Sequence, residues 1–260
     1  MTSVEGAHKD VNPTDDSNEE HVFYGGHHES EILAELDNKR AMLDIHKNPL
    51  LVSILNSCEM LKALDEKGEL PLTHLVHSRA LIFLKAEKVG FGISITQGYG
   101  LMIARAPHRP SGWSAPLPIK VDGFSVGAVI GFSSQESIVC LANDDDVNSF
   151  KAEKKAMKLG VDIGLSLMDK FDQHMGYDTQ NMQAAEQINS KAFTINKGVL
   201  FDVAFKGVSV ESDFEDIEAS YGKSVSAADI LNGEVSPPRE ATILYNLLLN
   251  YIDRYSAPVK

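Results

Sequence analysis

The chain has 260 residues, a formal net charge of −13 and 43% hydrophobic residues, which suits a soluble globular protein with a hydrophobic core. The acidity is concentrated at the front, because residues 1–70 hold 6 basic and 15 acidic residues, whereas residues 71–260 hold 18 and 22. A nucleic-acid binder usually shows the opposite balance. We therefore expect no nucleic-acid partner, although the second part of the chain can still form local basic patches.

The first 30 residues are polar and rich in Gly, His, Asp and Glu. Such a composition cannot bury enough apolar surface to fold, so it predicts a disordered acidic tail. His21, His27 and His28 lie in this tail without Cys or further His at ligand spacing, and we predict no metal site there. Residues 31–255 are expected to form a single domain, followed by a short tail at 256–260.

The two cysteines, Cys58 and Cys140, fall within a predicted helix and a predicted strand. The sequence shows no signal peptide and no apolar span of about 18 residues, so neither a disulfide scaffold nor a membrane-spanning helix is expected. We predict that both thiols are reduced core residues of a cytoplasmic protein.

Helical periodicity dominates the stretch that follows the tail. Apolar residues at helical spacing predict a helix over residues 29–45. A second helix over 49–67 has stronger signals, because Asn48 is a good N-cap and Pro49 fits the first helical position. Gly68 is expected to end it.

Residues 80–142 are the stretch around which the fold is predicted to be built. Short runs of Ile, Val, Phe and Leu are broken by Gly at close intervals, which predicts four or five antiparallel strands in a curved sheet or small barrel. Pro107 and Pro110 predict a long hairpin loop. Trp113 follows directly and is expected to anchor this loop by packing its ring.

After the sheet, acidic residues at 143–146 favour the start of a helix that is predicted to reach about residue 158. This helix would contain the densest basic run of the chain, four lysines predicted to share one face: Lys151, Lys154, Lys155 and Lys158. A solvated helix face and a patch that binds anionic lipid headgroups or actin are both compatible with this run.

The rest of the pattern predicts strands at 159–167 and within 191–211, and helices at 214–221, 226–231 and from 237 onward. The predicted fold class is therefore α+β, with a curved antiparallel sheet or small barrel packed by N- and C-terminal helices.

The sequence contains no recognisable catalytic or cofactor motif. GFG at 90–92 and GYG at 98–100 lack the strand–loop–helix context of a dinucleotide site. His74 and His77 lie three apart in a short helix predicted over 71–79, but no further metal ligands accompany them. No Ser/His/Asp set or carboxylate pair occurs at a recognisable spacing, so we predict neither an enzyme nor a bound cofactor.

Several short motifs occur in the order and spacing of one domain family. In chain order they are LVHSRAL (75–81), KVGF (88–91), GYG (98–100) with Arg105, WSAP (113–116), NKG (196–198), YGK (221–223), ADILNG (228–233) and PP (237–238). Together they resemble the SYLF domain, over about residues 40–255. The chain departs from the family pattern at Ser78, Ala80 and Asp202, and in the polar segment that begins at residue 168.

The resemblance implies a non-enzymatic, cytoplasmic module that binds phosphoinositide membranes and actin filaments. It would be peripheral at membranes or cortical actin rather than transmembrane, and would act in endocytic or cortical actin regulation. Headgroup phosphates attract clustered Lys and Arg. The candidate binding residues are the four lysines of the predicted helix and a second site near the first strands: Lys151, Lys154, Lys155, Lys158, Lys85 and Lys88.

Two other functions remain open from the residues alone. A small barrel can hold one apolar ligand, which would make the protein a carrier. The other is a scaffold that binds only proteins, through the acidic N-terminal part of the chain. A lipid that co-purifies with the chain and is seen in a native mass spectrum would favour the carrier.

Overall fold

The structure is a computed structural model that describes residues 31, 34, 48–152, 157–158, 166–167, 190–198 and 208–256. Its helices are α1 (Pro49–Glu66), α2 (Leu72–His77), α3 (Asp144–Lys151), α4 (Phe214–Tyr221), α5 (Ala227–Leu231), a short 3-10 helix (Arg239–Ala241) and α6 (Thr242–Ser256). Its strands are β1 (Ala80–Ala104), β2 (Leu117–Leu141), β3 (Met157–Lys158), β4 (Ser166–Leu167), β5 (Lys191–Gly198) and β6 (Val208–Ser212). The predicted tail at 1–30 lies outside the described residues, as does most of the helix predicted at 29–45.

Helix α1 begins and ends where the local signals predict. The Asn48 side chain accepts a hydrogen bond of 3.0 Å from the Leu51 amide, and Pro49 lies in the first turn. Gly68 follows the last turn with a φ of +68°, a conformation that glycine adopts at little cost. The helix predicted over 49–67 is therefore confirmed, and its buried face includes Ile54, Leu55, Cys58, Leu61 and Leu64.

The 80–142 stretch forms two strands of 25 residues each, so the prediction of four or five shorter strands is wrong. Strands β1 and β2 pair antiparallel along nearly their whole length, with one register irregularity between Phe91 and Ile93. The predicted hairpin loop is confirmed between them, because β1 ends at Ala104 and β2 begins at Leu117.

Two glycines of β1 permit a close backbone approach instead of ending the strand. A Cβ at Gly100 would lie 1.9 Å from the Phe83 carbonyl oxygen. A Cβ at Gly98 would lie 2.3 Å from the Lys85 carbonyl oxygen. Only glycine lets two backbone segments come so close. The two halves of β1 therefore lie against each other, and the β1–β2 pair bends at its middle.

Strand β2 is the centre of the sheet. One of its edges pairs with β1, and the other pairs with β5 over residues 133–140 and with β6 over residues 119–123. Strands β3 and β4 extend the sheet beyond β6 and β5, and β4–β5 is the one parallel pair among the described strands. The sheet is open, so the α+β prediction is confirmed in its curved-sheet form. Of the strand predicted at 159–167, Ser166–Leu167 is described and forms β4.

Helices cover both faces of this sheet, because neighbouring residues of a strand point to opposite sides. Leu81 and Phe83 of β1 belong to a core that contains α1 and α6. Ile82 and Leu84 belong to a second core that contains residues of α3, α4 and α5. The prediction that the N- and C-terminal helices pack on the sheet is therefore confirmed. Neither Cys58 nor Cys140 forms a disulfide, and both are buried in the first core.

The C-terminal elements also follow their local signals. Ser226 and Asp229 form a capping box at the start of α5, in which each side chain bonds to the other residue's backbone amide. Helix α6 follows the 3-10 helix that begins after Pro238. The apolar face of α6 is buried at Leu244, Leu247, Leu248 and Tyr251.

Candidate functional site

The basic run that was predicted to form one helix face is divided in the structure. Helix α3 ends at Lys151, and the chain is extended directly after it. Lys158 lies in β3, where it pairs with Ser209 of β6. Lys154 and Lys155 lie outside the described residues. The prediction of a helix that reaches residue 158 is therefore wrong, because strand pairing overrides the local helical pattern, and Lys151 and Lys158 share no helix face.

Lys85 and Lys88 both lie in β1, three residues apart, so their side chains leave opposite faces of the strand. The Lys85 Nζ is 3.8 Å from a carboxylate oxygen of Glu136, the residue directly opposite on β2. Lys88 lies opposite Ser133. The structure thus positions these two lysines at the same strand but does not join them into a single basic cluster.

Several other basic side chains lie next to acidic partners. The pairs are Arg79–Asp144 (3.7 Å), Lys120–Glu211 (2.9 Å), Lys223–Glu218 (3.1 Å) and Arg254–Asp65 (3.0 Å). Exposed pairs of this kind contribute little to stability, but each carboxylate offsets the field of its neighbouring cation. An anionic partner therefore meets a surface whose positive charge is partly compensated.

Arg105, the arginine that accompanies the GYG motif, has a structural role. Its guanidinium donates to the carbonyl oxygens of Leu75 (2.8 Å), Val76 (2.7 Å) and Ser78 (3.2 Å), at the C-terminal end of α2. The same group stacks 3.8 Å above the Trp113 ring. Burial, and to a smaller extent the charge of Arg79, lowers the pKa of Arg105 to about 10. Arg105 therefore remains charged at neutral pH and caps α2 instead of facing a ligand.

The loop between β1 and β2, residues 105–116, is the point where the family motifs meet, and we call it the loop hub. The hydroxyl of Tyr245, from α6, donates to the Ser114 carbonyl oxygen at 2.7 Å. The hydroxyl of Tyr221, from the YGK motif, donates to the Pro116 carbonyl oxygen at 2.6 Å. Burial raises the pKa of Tyr221, so this hydroxyl stays protonated and acts as a donor.

The ADILNG motif reaches the loop hub as well. Arg109 Nε donates to the Gly233 carbonyl oxygen at 2.6 Å, and His108 Nε2 lies 3.1 Å from the same oxygen. Gly233 has a φ of +76°, and a Cβ there would lie 2.9 Å from the His108 ring. Arg105 and the WSAP, YGK and ADILNG motifs therefore hold the fold together at the loop hub, through internal contacts.

A surface that the sequence analysis missed lies at the bend of the β1–β2 pair. Among the side chains that the structure describes there, six large apolar ones are exposed by 50% or more of their surface: Val89, Phe91, Ile93, Ile95, Phe124 and Phe132. We call these six residues the apolar tip. The sequence signal for this surface is the alternation of apolar and small residues in VGFGISI (89–95). This alternation predicts a strand, but it does not show which face of the strand points outward.

Among the residues that the structure describes, no helix is long and apolar enough to cross a membrane. The same residues include no group of three His, Cys, Asp or Glu side chains arranged to hold a metal ion. His74, one of the two histidines considered above, packs edge-on against the Phe193 ring, with ring centroids 5.2 Å apart.

The sequence model of one known family, described as Ysc84, Las17-binding protein actin regulator, matches residues 122–251. This match spans half of the chain. The chain belongs to the Ysc84 (SYLF) family. The resemblance inferred from the short motifs is therefore confirmed, and the match covers most of β2 and the C-terminal part of the structure that surrounds the loop hub.

Curated relatives of this SYLF chain include SH3 domain-containing YSC84-like protein 1 of Rattus norvegicus, with 27% identity over 190 residues, 72% of this chain and 53% of that protein. The Homo sapiens protein of the same name is 26% identical, over 72% of this chain and 52% of its own length. LAS seventeen-binding protein 3 of Saccharomyces cerevisiae is 25% identical over 69% of this chain and 38% of its own length. The chain spans about half the length, or less, of these relatives. No solved structure matches it.

Proposed function

We propose that this chain is a non-enzymatic module that binds actin filaments and phosphoinositide membranes, at cortical actin or endocytic sites in the cytoplasm. The observation on which the proposal rests is membership of a family described as an actin regulator that binds Las17. The name of the Saccharomyces cerevisiae relative likewise describes a protein that binds LAS seventeen. Because the chain spans only part of those relatives, the proposal concerns this module and not the adaptor function of a longer protein.

The charges of the described residues limit how such binding can occur. The chain has a net charge of −13, so long-range attraction to an anionic filament or membrane is unfavourable and local lysines must provide it. Each Lys near an anionic bilayer contributes about 1 kcal/mol. Lys151 lies in the last turn of α3, while Lys158 lies on a strand, so we expect the basic run to act as a spread-out patch.

The test is co-sedimentation of the full chain with phosphoinositide vesicles and, separately, with F-actin. Lys151, Lys154, Lys155 and Lys158 are changed together to Gln, and Lys85 and Lys88 form a second variant. A matched control changes Lys67 and Lys223, which are exposed and lie elsewhere, to Gln. We expect the first variant to weaken binding most, and added salt to weaken the unaltered chain, because electrostatic contacts are screened.

If neither partner binds the unaltered chain, the proposed function is wrong. If both partners bind and the lysine variants behave like the control, the function stands and these six lysines are not its site. Circular dichroism of each variant is needed beside the binding data, to show that the fold is unchanged.

The apolar-ligand carrier has less support from the described residues. A surface cleft of about 200 Å³ lies between the start of α1 and the end of α4. Its lining includes Asn48, Ile54, Ser220 and Glu240. Pockets that enclose small molecules usually measure about 300–1,000 Å³ and have mainly apolar walls. A co-purified lipid in a native mass spectrum would support the carrier function. Binding to proteins alone would favour the scaffold function.

A further inference from the structure

The apolar tip is a single face of the bent strand pair. Val89 lies directly opposite Phe132, and Ile95 lies directly opposite Phe124. Directly opposed residues of antiparallel strands project from the same side of a sheet. Phe91, the most exposed of the six side chains at 83%, lies at the middle of this face. The exposed apolar residues are therefore contiguous and not scattered, and contiguous apolar patches of this kind mark interaction surfaces.

The opposite face of the same segment is polar and buried. Ser94 is completely buried, and Thr96 and Ser133 are nearly so. A Cβ at Gly90 would lie 2.7 Å from the Ser94 Cβ, so the small residues occupy the inside of the bend. A sheet that faces water on one side normally buries its apolar residues and exposes its polar ones. At the apolar tip this arrangement is reversed.

The segments that form the apolar tip contain no charged residue. Residues 89–97 and 123–135 lack Asp, Glu, Lys and Arg entirely. The nearest charged side chains along the two strands are of both signs: Lys88 and Glu136, and Asp122. Removing this surface from water therefore costs no free energy for desolvating charged groups. Its attraction to a partner must come from the burial of apolar surface.

The shape of the surface selects the partner. The inside of the bend is the small-residue face, so the apolar face is the convex outside. An interface between two identical copies related by a twofold axis must be self-complementary, and two rigid convex surfaces touch over little area. A fluid bilayer adapts to a convex apolar projection. The two strands are hydrogen-bonded to each other along their shared edge, and shallow insertion of the side chains leaves the outer strand edges at the level of the headgroups.

We propose that the apolar tip inserts into the hydrocarbon region of a lipid bilayer. This inference rests on the membrane binding proposed above and adds a contact that does not depend on lysines or on anionic headgroups. Insertion is shallow, to about the depth of the Phe side chains, because the small-residue face remains folded inward. Binding through the tip is insensitive to salt, in contrast to binding through the basic run.

Insertion can be observed directly with Phe91→Trp in the full chain. The native Trp113 is fully buried, so it provides a constant background. With phosphatidylcholine vesicles we expect a blue shift of the added fluorescence and its quenching by lipids brominated along their acyl chains. Phe214→Trp is the matched control, since Phe214 is an exposed phenylalanine on α4, and it should show neither effect. A Trp at position 91 that stays unquenched would overturn the proposal.

The energetic test changes Phe91, Phe124 and Phe132 together to Ser, with Phe214→Ser as control. Partitioning onto neutral phosphatidylcholine vesicles should fall about tenfold or more, equally at about 0.1 M and about 1 M salt, because loss of apolar burial is not screened. The control should bind like the unaltered chain. These residues are exposed, so an unchanged melting temperature is expected of every variant.

The outcomes separate this inference from the proposed function. If the chain binds only anionic vesicles, in a salt-sensitive way, and the triple Ser variant binds them equally well, tip insertion is wrong while membrane binding stands. If the chain binds no vesicle at all, both are wrong. If the triple variant changes the elution volume in size-exclusion chromatography instead of vesicle binding, the apolar tip is a contact between copies, and the bilayer proposal is overturned.

Discussion

The loop hub and the apolar tip belong to the same two strands and differ in almost every physical respect. At the loop hub, polar groups are buried or partly buried, and Arg105 and Tyr245 donate hydrogen bonds to backbone carbonyl oxygens. At the apolar tip, large apolar groups face outward and small polar groups lie inside. Arg105 and the WSAP, YGK and ADILNG motifs meet at the hub and hold the fold, whereas the KVGF motif supplies Val89 and Phe91 to the tip. The family motifs therefore divide between a buried structural site and an exposed surface.

Among the variants that test this difference between hub and tip, the largest loss of stability is expected at Trp113. The ring is fully buried, so Trp113→Ala should cost about 3–5 kcal/mol of unfolding free energy. Trp113→Phe should cost less, because the buried indole Nε1 has no hydrogen-bond acceptor among the described residues. Phe91→Ala at the tip should change stability by less than about 0.5 kcal/mol. Urea unfolding of the three variants measures this, and equal losses at both positions would break the comparison.

The second effect concerns the fork of Arg105. Lys keeps the charge, but its compact ammonium cannot reproduce the planar fork that reaches three carbonyl oxygens, so Arg105→Lys should cost about 2 kcal/mol. Arg254→Lys is a matched control, because Arg254 also stacks on an aromatic ring and pairs with one acidic partner, but at the surface. Its change should lie within about 0.5 kcal/mol. If the two variants have the same melting midpoint, the capping role assigned to Arg105 is incorrect.

A smaller loss is expected when one hydroxyl is removed from the loop hub. Tyr245→Phe leaves the Ser114 carbonyl without its 2.7 Å donor in a buried place, at a cost of about 1–2 kcal/mol. Thermal unfolding checks this value. Tyr99→Phe provides the comparison from the β1 surface, since the Tyr99 hydroxyl accepts a hydrogen bond from the Asn56 amide at an exposed position. A loss at Tyr99 as large as that at Tyr245 would contradict the distinction between the two regions.

The smallest expected effect is the dependence of protein stability on pH that results from His74, near the hub. Burial, followed by the charges of Lys191 and His77, lowers the pKa of His74. The unfolded chain therefore takes up the His74 proton at a higher pH than the folded chain does. Stability should fall as the pH is lowered through about 6.5, the ordinary histidine value, towards the lower folded value. His74→Gln should make the melting temperature less dependent on pH over this window, and an unchanged slope would show that another group is responsible.

The sequence by itself determined the elements whose signals are local. The start of α1 at Asn48 and Pro49 and its end at Gly68 appear where they were predicted. The helices at 214–221, 226–231 and after Pro237 lie close to their predicted bounds. The burial of Trp113 was also foreseen from its place after the hairpin loop. These features depend on residues within a few positions of each other, so no knowledge of distant contacts was needed.

The tertiary structure alone decided three other features. The Gly-punctuated stretch 80–142 was predicted to form four or five short strands, but Gly98 and Gly100 lie inside one long strand, close to the Phe83 and Lys85 carbonyls. Helix α3 ends at Lys151 and β3 pairs with β6, so the lysines do not form one helical row. The outward face of the apolar tip follows from the direction of the bend. In each case the outcome depends on which distant backbone lies opposite, and periodicity within a segment contains no information about that.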